Sequence, residues 1–233
     1  MTEAGRWCEK TFGYRFRDSD HLERALTHRS ATGPHNERLE YLGDAALGFI
    51  VAEALYEKLP NANEGDLSRL RASLVKGTTL AELAAQLDFG SWLHLGTGEL
   101  KSGGYRRESI LANALEALIG AAYLDGGFKV TRALVLRLYQ DRLENLPAPD
   151  ELKDAKTRLQ ETLQSRGLPL PGYAMESRGG EEHAQTFVVS CTLIESGMTT
   201  SGSGRTRRHA EQEAAGRMIE ALQDTWGKSS DKQ

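Results

Sequence analysis

The fold of the first half of this 233-residue chain is decided by the stretch HNERLEYLGDAALGF, residues 35–49. A helix turns by about 100° per residue, so with Glu37 at zero Glu40 falls at about 300° and Asp44 at about 340°. These three acids share one narrow stripe, and Arg38 is the only basic residue within this turn. The pattern predicts an amphipathic helix over 36–58 with its acids facing away from its buried side. That buried side falls between about 120° and 220° and comprises Leu39, Leu42, Ala46, Phe49 and Ile50.

The residues alone leave two interpretations of the acidic stripe open. A solvated charged face is the commonest fate of acids on an amphipathic helix. Acids spaced at i, i+3 and i+4 without basic partners nevertheless repel one another, and clustered carboxylate oxygens suit Mg²⁺. The stripe therefore indicates either a solvent-facing surface or part of a metal site.

A second segment, ESILANALEALIGAAYLD (108–125), carries a carboxylate in a nearly apolar setting. With Ile110 at zero, Asn113 falls near about 300° and Glu116 near about 240°, with apolar or small side chains elsewhere. A helix that is apolar nearly all round is buried, and a buried carboxylate is costly unless it is paired or ligates a metal. Glu116 therefore needs a cation, either a metal held jointly with the acidic stripe or a basic side chain. The basic candidates are Arg38, Arg106 and Arg107.

The first unit of the chain is predicted to be an all-α domain over residues 1–146. Helical periodicity or strong helix formers recur along it, separated by clusters of Gly, Pro, Asn and Ser. The predicted helices cover 20–29, 36–58, 64–88, 108–124 and 129–145.

The pattern changes after this domain. The segment NLPAPDE (145–151) carries two prolines and predicts a short linker at 147–152. Residues 153–226 predict a small α+β unit of order α-β-β-β-α. The tail, 227–233, is predicted to be disordered. The expected strands are Tyr173–Glu176, Thr186–Leu193 and Met198–Ser203, and the last helix is expected over Arg207–Leu222.

Composition narrows the class of protein. The net charge is −4, so any nucleic-acid contact must be local, and the strongest basic cluster is GSGRTRRH (202–209). Cys8 and Cys191 lack metal-type spacing and predict reduced thiols. No run approaches the roughly 18–20 apolar residues that span a bilayer. We therefore expect a cytoplasmic protein without a membrane partner.

The acidic-helix motif HNERLEYLGDAALGF closely resembles the signature of bacterial ribonuclease III. Two flanking motifs, THRS (27–30) and ESILANALEALIGAAYLDGGF (108–128), resemble the same family in the same order. The second unit resembles a double-stranded-RNA-binding domain. Its matching segments are DAKTRLQE (154–161), GEEHAQTF (180–187) and GSGRTRRHAEQEAA (202–215).

This resemblance implies an endonuclease for double-stranded RNA with a divalent-metal site. The implied ligands are Glu40, Asp44, Asn113 and Glu116, of which Asp44 and Glu116 are the catalytic residues. Glu37 and Glu64 match further acids near the cleavage site and the dimer valley. The family resemblance also implies Mg²⁺, which Mn²⁺ can replace, and a homodimer whose two sites each cut one strand. The products would carry 5′-phosphates and short 3′ overhangs, and the substrates would be ribosomal-RNA precursors and messenger RNA.

The resemblance further implies that the second unit binds duplex RNA by its shape, through 2′-hydroxyls and phosphates. Residues of the first helix and the loop would meet two minor grooves, and arginines at the start of the last helix would reach phosphates. His209 and Glu211 stand where many relatives have lysine, which predicts modest affinity and a shallow salt dependence. The implied RNA-binding residues are Thr157, Gln160, Glu161, His183, Arg205, Arg207 and Arg208.

Asn113 departs from the family pattern, which usually has aspartate at this position. An amide keeps one oxygen donor but loses the charge, at a cost of about 1–3 kcal/mol. Three explanations stay open: natural variation with retained activity, an engineered slow variant, or a natural RNA binder that does not cut. The alternative function is accordingly a non-cleaving or attenuated double-stranded-RNA-binding regulator. A ferritin-like di-iron bundle is excluded, because neither acidic helix carries a Glu-x-x-His pair.

Overall fold

The computed structural model describes residues 2–179 and 185–230. The chain divides into two compact units between Pro149 and Asp150. The first unit is helical, as predicted. Its helices are α1 Glu3–Phe12, α2 Ser19–Leu26, α3 Glu37–Lys58, α4 Glu64–Val75, α5 Gly77–Gln86, α6 Thr97–Lys101, α7 Glu108–Leu138 and α8 Gln140–Glu144. Short 3-10 turns lie at Phe89–Trp92, Gly104–Arg106 and Pro149–Leu152.

Helix α7 is the centre of the first unit. Its N-terminal half is buried nearly all round, as its sequence predicts, and it packs against α2, α3 and α5. The helix is interrupted at Gly127, where φ is 75°, so the two predicted helices on either side of this point are distinct segments. The most extensive of its contacts is with α3.

Glycines allow the backbones of α3 and α7 to touch. A Cβ added to Gly43 would lie 1.8 Å from the carbonyl oxygen of Glu116, and one added to Gly120 would lie 2.2 Å from that of Leu39. Only glycine permits so close an approach of two backbones. The two helices that carry the predicted acids are therefore held in direct contact.

This contact corrects the predicted orientation of α3. Phe49, assigned to the buried side, is 60% exposed, and Leu42 and Ala46 are only half-buried. The buried residues are Leu39, Gly43, Leu47, Ile50, Val51, Ala54 and Leu55. The acids therefore lie beside the buried side and not opposite it. The prediction was wrong because Gly43 carries no hydrophobic signal, although it lies at the contact.

The segment predicted as one helix over 64–88 forms two helices. Lys76 has φ −67° and ψ 148°, an extended backbone that ends α4 and precedes α5. The Thr79 hydroxyl donates to the Ser73 carbonyl at 2.8 Å, which satisfies a carbonyl at the end of α4. Helices α1 and α6 were not predicted.

The second unit has the predicted order α-β-β-β-α. Its antiparallel sheet runs β1-β2-β3 and is covered by two helices that share a core with it. The elements are α9 Ala155–Gln164, β1 Gly172–Gly179, β2 Thr186–Thr192, β3 Thr199–Gly204 and α10 Arg207–Ser230. Helix α10 thus runs past its predicted end at residue 222 and into the predicted disordered tail, of which 231–233 lie outside the described residues.

Both cysteines are buried free thiols, one in each unit. Burial raises the pKa of Cys8 to about 12, and a thiol in such surroundings is chemically inert. Among the helices that the structure describes, none is long and apolar enough to cross a bilayer.

Candidate active site

One cleft of about 1020 Å³ in the first unit contains most of the predicted site. Helix α3 contributes Glu37, Glu40 and Asp44 to its lining, and α7 contributes Asn113 and Glu116. The structure therefore brings together all four implied metal ligands, here called the oxygen site (Glu40, Asp44, Asn113 and Glu116), and adds Glu37.

Glu64 is placed elsewhere. It begins α4 and lines a separate groove with Phe49 and Tyr56, and its carboxylate accepts a hydrogen bond from Ser68 at 2.8 Å. Within a single chain, Glu64 is therefore not part of the cleft that holds the oxygen site.

Glu116 is half-buried, and its charge is not balanced by a neighbouring base. Burial is the main cause that raises its pKa to about 7, and the carboxylates of Asp44 and Glu40 add to the rise. Among the described residues, no basic side chain lies within 4.0 Å of its carboxylate; Arg107 instead pairs with Glu99 at 2.6 Å.

The other two arginines proposed as partners of Glu116 line different grooves. Arg38 lies in a groove beside Leu124, and Arg106 lies over the ring of Tyr105, 5.0 Å from its centre. The alternative of a core Glu–Arg pair is therefore excluded for the described part of the chain. A carboxylate in this position is stabilised by an added cation.

Glu40 and Asn113 interact across the two helices. Burial and the neighbouring Glu37 raise the pKa of Glu40, while the side-chain amide of Asn113 stabilises its carboxylate and opposes the rise. Arg29 also lowers this pKa, but it forms its own ion pair with Glu37 at 3.2 Å. Asn113 therefore acts as a neutral hydrogen-bonding partner where an aspartate would add repulsion.

The donor chemistry of the oxygen site fits a hard divalent cation. Carboxylate and amide oxygens are the ligands that Mg²⁺ prefers. Burial raises the pKa values of Glu40 and Glu116, and neighbouring carboxylates add to the rise. Across residues 2–179 and 185–230, no three His, Cys, Asp or Glu side chains converge to hold an ion by themselves. The acids face one cleft without closing on a common point, and a cation would offset their mutual repulsion.

Two ion pairs at the rim of the cleft were not assigned from the sequence. They join Arg29 to Glu37 and Arg107 to Glu99. His28 also lines the cleft, and its Nδ1 accepts a hydrogen bond from the backbone of Ser30 at 3.2 Å. Glu37 lies on α3 and Glu99 on the five-residue helix α6, whereas His28, Arg29 and Arg107 lie outside the helices, where no periodicity marks them. In this region only the two adjacent glycines of KSGGYRRES (101–109) indicate, from the sequence, a loop of unusual backbone conformation.

The predicted RNA-binding residues of the second unit fall on two neighbouring segments. Gln160 and Glu161 are exposed on α9, with Thr157 half-buried beside them. The arginines at 205, 207 and 208 are exposed where β3 leads into α10. The two segments are joined by an ion pair between Lys156 and Glu211 at 2.7 Å. His183 lies outside the described residues.

Known families match both units. Residues 18–143 match a family model described as ribonuclease-III-like, and residues 155–222 match the double-stranded RNA binding motif. Ribonuclease 3 of Nitrosococcus oceani is 58% identical over 219 residues, which cover 93% of this chain and 94% of that relative. Ribonuclease 3 of Alkalilimnicola ehrlichii is 57% identical over 212 residues, 91% of this chain and 93% of that relative.

A solved structure agrees with these matches. The nuclease domain of ribonuclease III from Campylobacter jejuni superposes with a TM-score of 0.59 at 39% identity, covering 63% of this chain and 100% of that one. The fold, the acidic cleft and the two family models all agree with one family. The chain therefore belongs to the ribonuclease III family, the endoribonucleases of double-stranded RNA.

Proposed function

We propose that this protein hydrolyses phosphodiester bonds of double-stranded RNA with Mg²⁺ bound at the oxygen site, where Mn²⁺ can replace it. The observation that carries the proposal is the backbone contact of α3 and α7, which directs three carboxylates and one amide into a single cleft. The family membership supplies the reaction class.

The residues of the site have separable roles in this proposal. A bound Mg²⁺ would supply a water of lowered pKa and neutralise charge on the scissile phosphate. Asp44 and Glu116 are the proposed catalytic carboxylates, and Glu40 is held beside them by the amide of Asn113. The buried body of α7 fixes Glu116, because its backbone cannot move without disturbing the core. Products with 5′-phosphates and short 3′ overhangs are part of the proposal.

A homodimer is proposed from an exposed aromatic stripe on α3. Tyr41, Phe49 and Tyr56 are 81%, 60% and 74% exposed and fall within about 80° of arc on the helix. Phe128 contacts Phe49 with ring centres 5.6 Å apart, and it extends the stripe onto α7. Exposed apolar patches of this kind mark interaction sites. A Campylobacter jejuni nuclease-domain structure is described as having a flexible region involved in dimer formation.

The position of Glu64 beside the aromatic stripe suggests a role for it at the proposed dimer interface. Glu64 lines the groove that contains Phe49 and Tyr56, so a second copy on this surface would bring its charge close to the interface. It is therefore proposed as a further acid of the dimer valley, while Glu37 serves within the cleft of its own chain.

The second unit is proposed to hold the duplex. The exposed α9 residues would contact a minor groove, and the arginines at the start of α10 would contact phosphates. Ribosomal-RNA precursors and messenger RNA in the cytoplasm are the proposed substrates. A non-cleaving regulator is not favoured, because four of the five predicted cleft positions keep a carboxylate.

Cleavage of a long RNA duplex by the purified chain tests the proposal. We expect discrete short duplexes with 5′-phosphate ends in Mg²⁺ and in Mn²⁺. Glu116→Gln should abolish cleavage in both ions and still bind the duplex. The matched control is Glu108→Gln, an exposed position at the start of the same helix, which should cut normally. Binding without cleavage in either ion by the unmodified chain would establish the regulator instead.

A further inference from the structure

The start of α10 holds an acid among the proposed phosphate-binding arginines. Glu211 accepts a hydrogen bond from Arg207 Nε at 2.9 Å through Oε1 and one from Lys156 Nζ at 2.7 Å through Oε2. Its side chain is only 13% exposed, whereas that of Arg207 is 60% exposed. A fixed anion therefore binds a cation that faces solvent.

Lys156 fixes the position of this anion. Its ammonium group lies 4.3 Å from the centre of the Tyr173 ring, and its backbone N–H donates to Gln212 at 3.1 Å. The bond from Lys156 is the main cause that lowers the pKa of Glu211; partial burial opposes it and the bond from Arg207 reinforces it. Glu211 is therefore an ionised carboxylate held in a fixed position.

The pair between Arg207 and Glu211 contributes little to the helix. In an i,i+4 pair the order acid before base is the more stabilising one, and here the base comes first. Arg207 also stands at the helix N-terminus, where the macrodipole disfavours a positive charge. The guanidinium of Arg207 is largely in solvent, where water screens the attraction of an ion pair, so Arg207 can exchange its partner.

The neighbouring arginines form no such direct ion pair in the part of the second unit that the structure describes, although Arg208 interacts with Asp154 at longer range. Among the described residues, neither Arg205 nor Arg208 has an acid within 4.0 Å, the distance at which the other ion pairs of this unit are found. One of the three proposed phosphate ligands is therefore engaged within the protein, and two face solvent.

We propose that Glu211, fixed by Lys156, is a built-in competitor of RNA phosphate for Arg207, which lowers the affinity of the free protein for duplex RNA. The inference rests on the proposed phosphate-binding role of Arg207. When RNA binds, the guanidinium of Arg207 exchanges the carboxylate of Glu211 for a phosphate. The contact of Arg207 with RNA therefore releases fewer counterions than the contact of an unpaired arginine would.

Affinity for an RNA duplex of about 16 base pairs, measured on the full chain without divalent metal, tests the competition. Glu211→Gln should tighten binding by roughly three- to tenfold and steepen the salt dependence by about one unit of slope. Glu220→Gln, an exposed position on the same helix, makes the same change of net charge and should alter neither quantity.

Double substitutions separate competition from a general charge effect. The tightening by Glu211→Gln should disappear in an Arg207→Gln background and persist in an Arg208→Gln background. Equal tightening in both backgrounds, or none in the wild type, would overturn the inference. If Arg207→Gln and Arg208→Gln both leave duplex affinity unchanged, the proposed RNA-binding surface itself fails.

Thermal unfolding of each variant shows whether its fold is retained. If Glu211→Gln melts well below the wild type, Glu211→Asp replaces it, because this variant keeps the charge and withdraws the carboxylate from Arg207 by one methylene. Tighter binding by Glu211→Asp, lost again in the Arg207→Gln background, supports competition; unchanged binding contradicts it.

Discussion

The carbonyl oxygen of Glu116 lies 1.8 Å from the point that a Cβ of residue 43 would occupy. Residue 43 directly precedes Asp44, and Glu116 faces the same cleft. The separation of two proposed catalytic carboxylates is therefore set by backbone contact between their helices and not by the side chains around them.

Gly43→Ala should disrupt both the fold and the site. The added methyl group meets backbone atoms that cannot rotate away, so we expect a loss of about 1–3 kcal/mol in unfolding free energy, measured by urea denaturation, and a loss of most cleavage activity. Gly48→Ala is the matched control on the same helix, because a Cβ there has nothing within 4 Å. It should be neutral or stabilising by up to about 1 kcal/mol.

Asn113→Asp should make the protein more dependent on metal. Without divalent ions the new charge faces Glu40 and Glu116, so the melting temperature should fall below that of the wild type. With Mg²⁺ the difference should shrink or reverse, and cleavage at limiting Mg²⁺ should rise by about tenfold. The control is Asn61→Asp in an exposed turn, whose melting temperature should not respond to Mg²⁺ differently from the wild type. If Mg²⁺ shifts the melting temperatures of Asn113→Asp and Asn61→Asp equally, Asn113 is not a metal ligand.

Asp125→Asn should remove a pH-dependent contribution to stability. Partial burial raises the pKa of Asp125, but hydrogen bonds from the Tyr14 hydroxyl and from the backbone N–H groups of Arg17 and Asp18 outweigh it and hold the pKa below its usual value. The ionised carboxylate therefore stabilises the fold above its unfolded pKa of about 3.9, and this stabilisation is lost as the pH falls through the folded pKa.

Urea denaturation across the acid range checks this expectation. At neutral pH the Asn variant should be less stable by about 1–2 kcal/mol, after allowance for the exposure of the site. The gap should close as the pH falls below about 4. Asp141→Asn, an exposed position on α8, should show no such gap. A constant difference at every pH would mean that the charge of Asp125 is irrelevant.

Phe49→Glu should weaken the proposed dimer. A charge in the centre of the aromatic stripe is desolvated on association, so we expect the dimer dissociation constant to rise more than about tenfold, as measured by sedimentation at several concentrations. Ile194→Glu changes an equally prominent apolar side chain in the second unit, 69% exposed, and should leave association unchanged. A monomeric wild-type protein at micromolar concentration would contradict the dimer outright.

The hydrophobic pattern of the sequence predicted the structure correctly wherever burial alone determines it. The burial of α7 around Glu116 followed from a helix with apolar side chains in every direction, and the order of the second unit followed from its turns and alternation. The acidic character of the cleft followed from the spacing of Glu40 and Asp44. These features depend on local periodicity, which a single sequence carries.

Features that depend on contacts between distant segments were not predictable in this way. The side of α3 that is buried is defined by Gly43 against α7, and a glycine adds nothing to a hydrophobic pattern. The split at Lys76 interrupts a continuous helical pattern through backbone conformation alone. The ion pair of Arg107 with Glu99 closes a loop whose geometry no periodicity encodes.

The three hydrogen bonds to Asp125 have a consequence for the design of shorter fragments. Similarity to the family model begins at residue 18, yet two of the donors, Tyr14 and Arg17, precede that residue. A nuclease fragment trimmed to the matched region would lose these donors and the buried side chains of α1. We therefore expect a stable fragment of the first unit to begin upstream of residue 18 and to include α1.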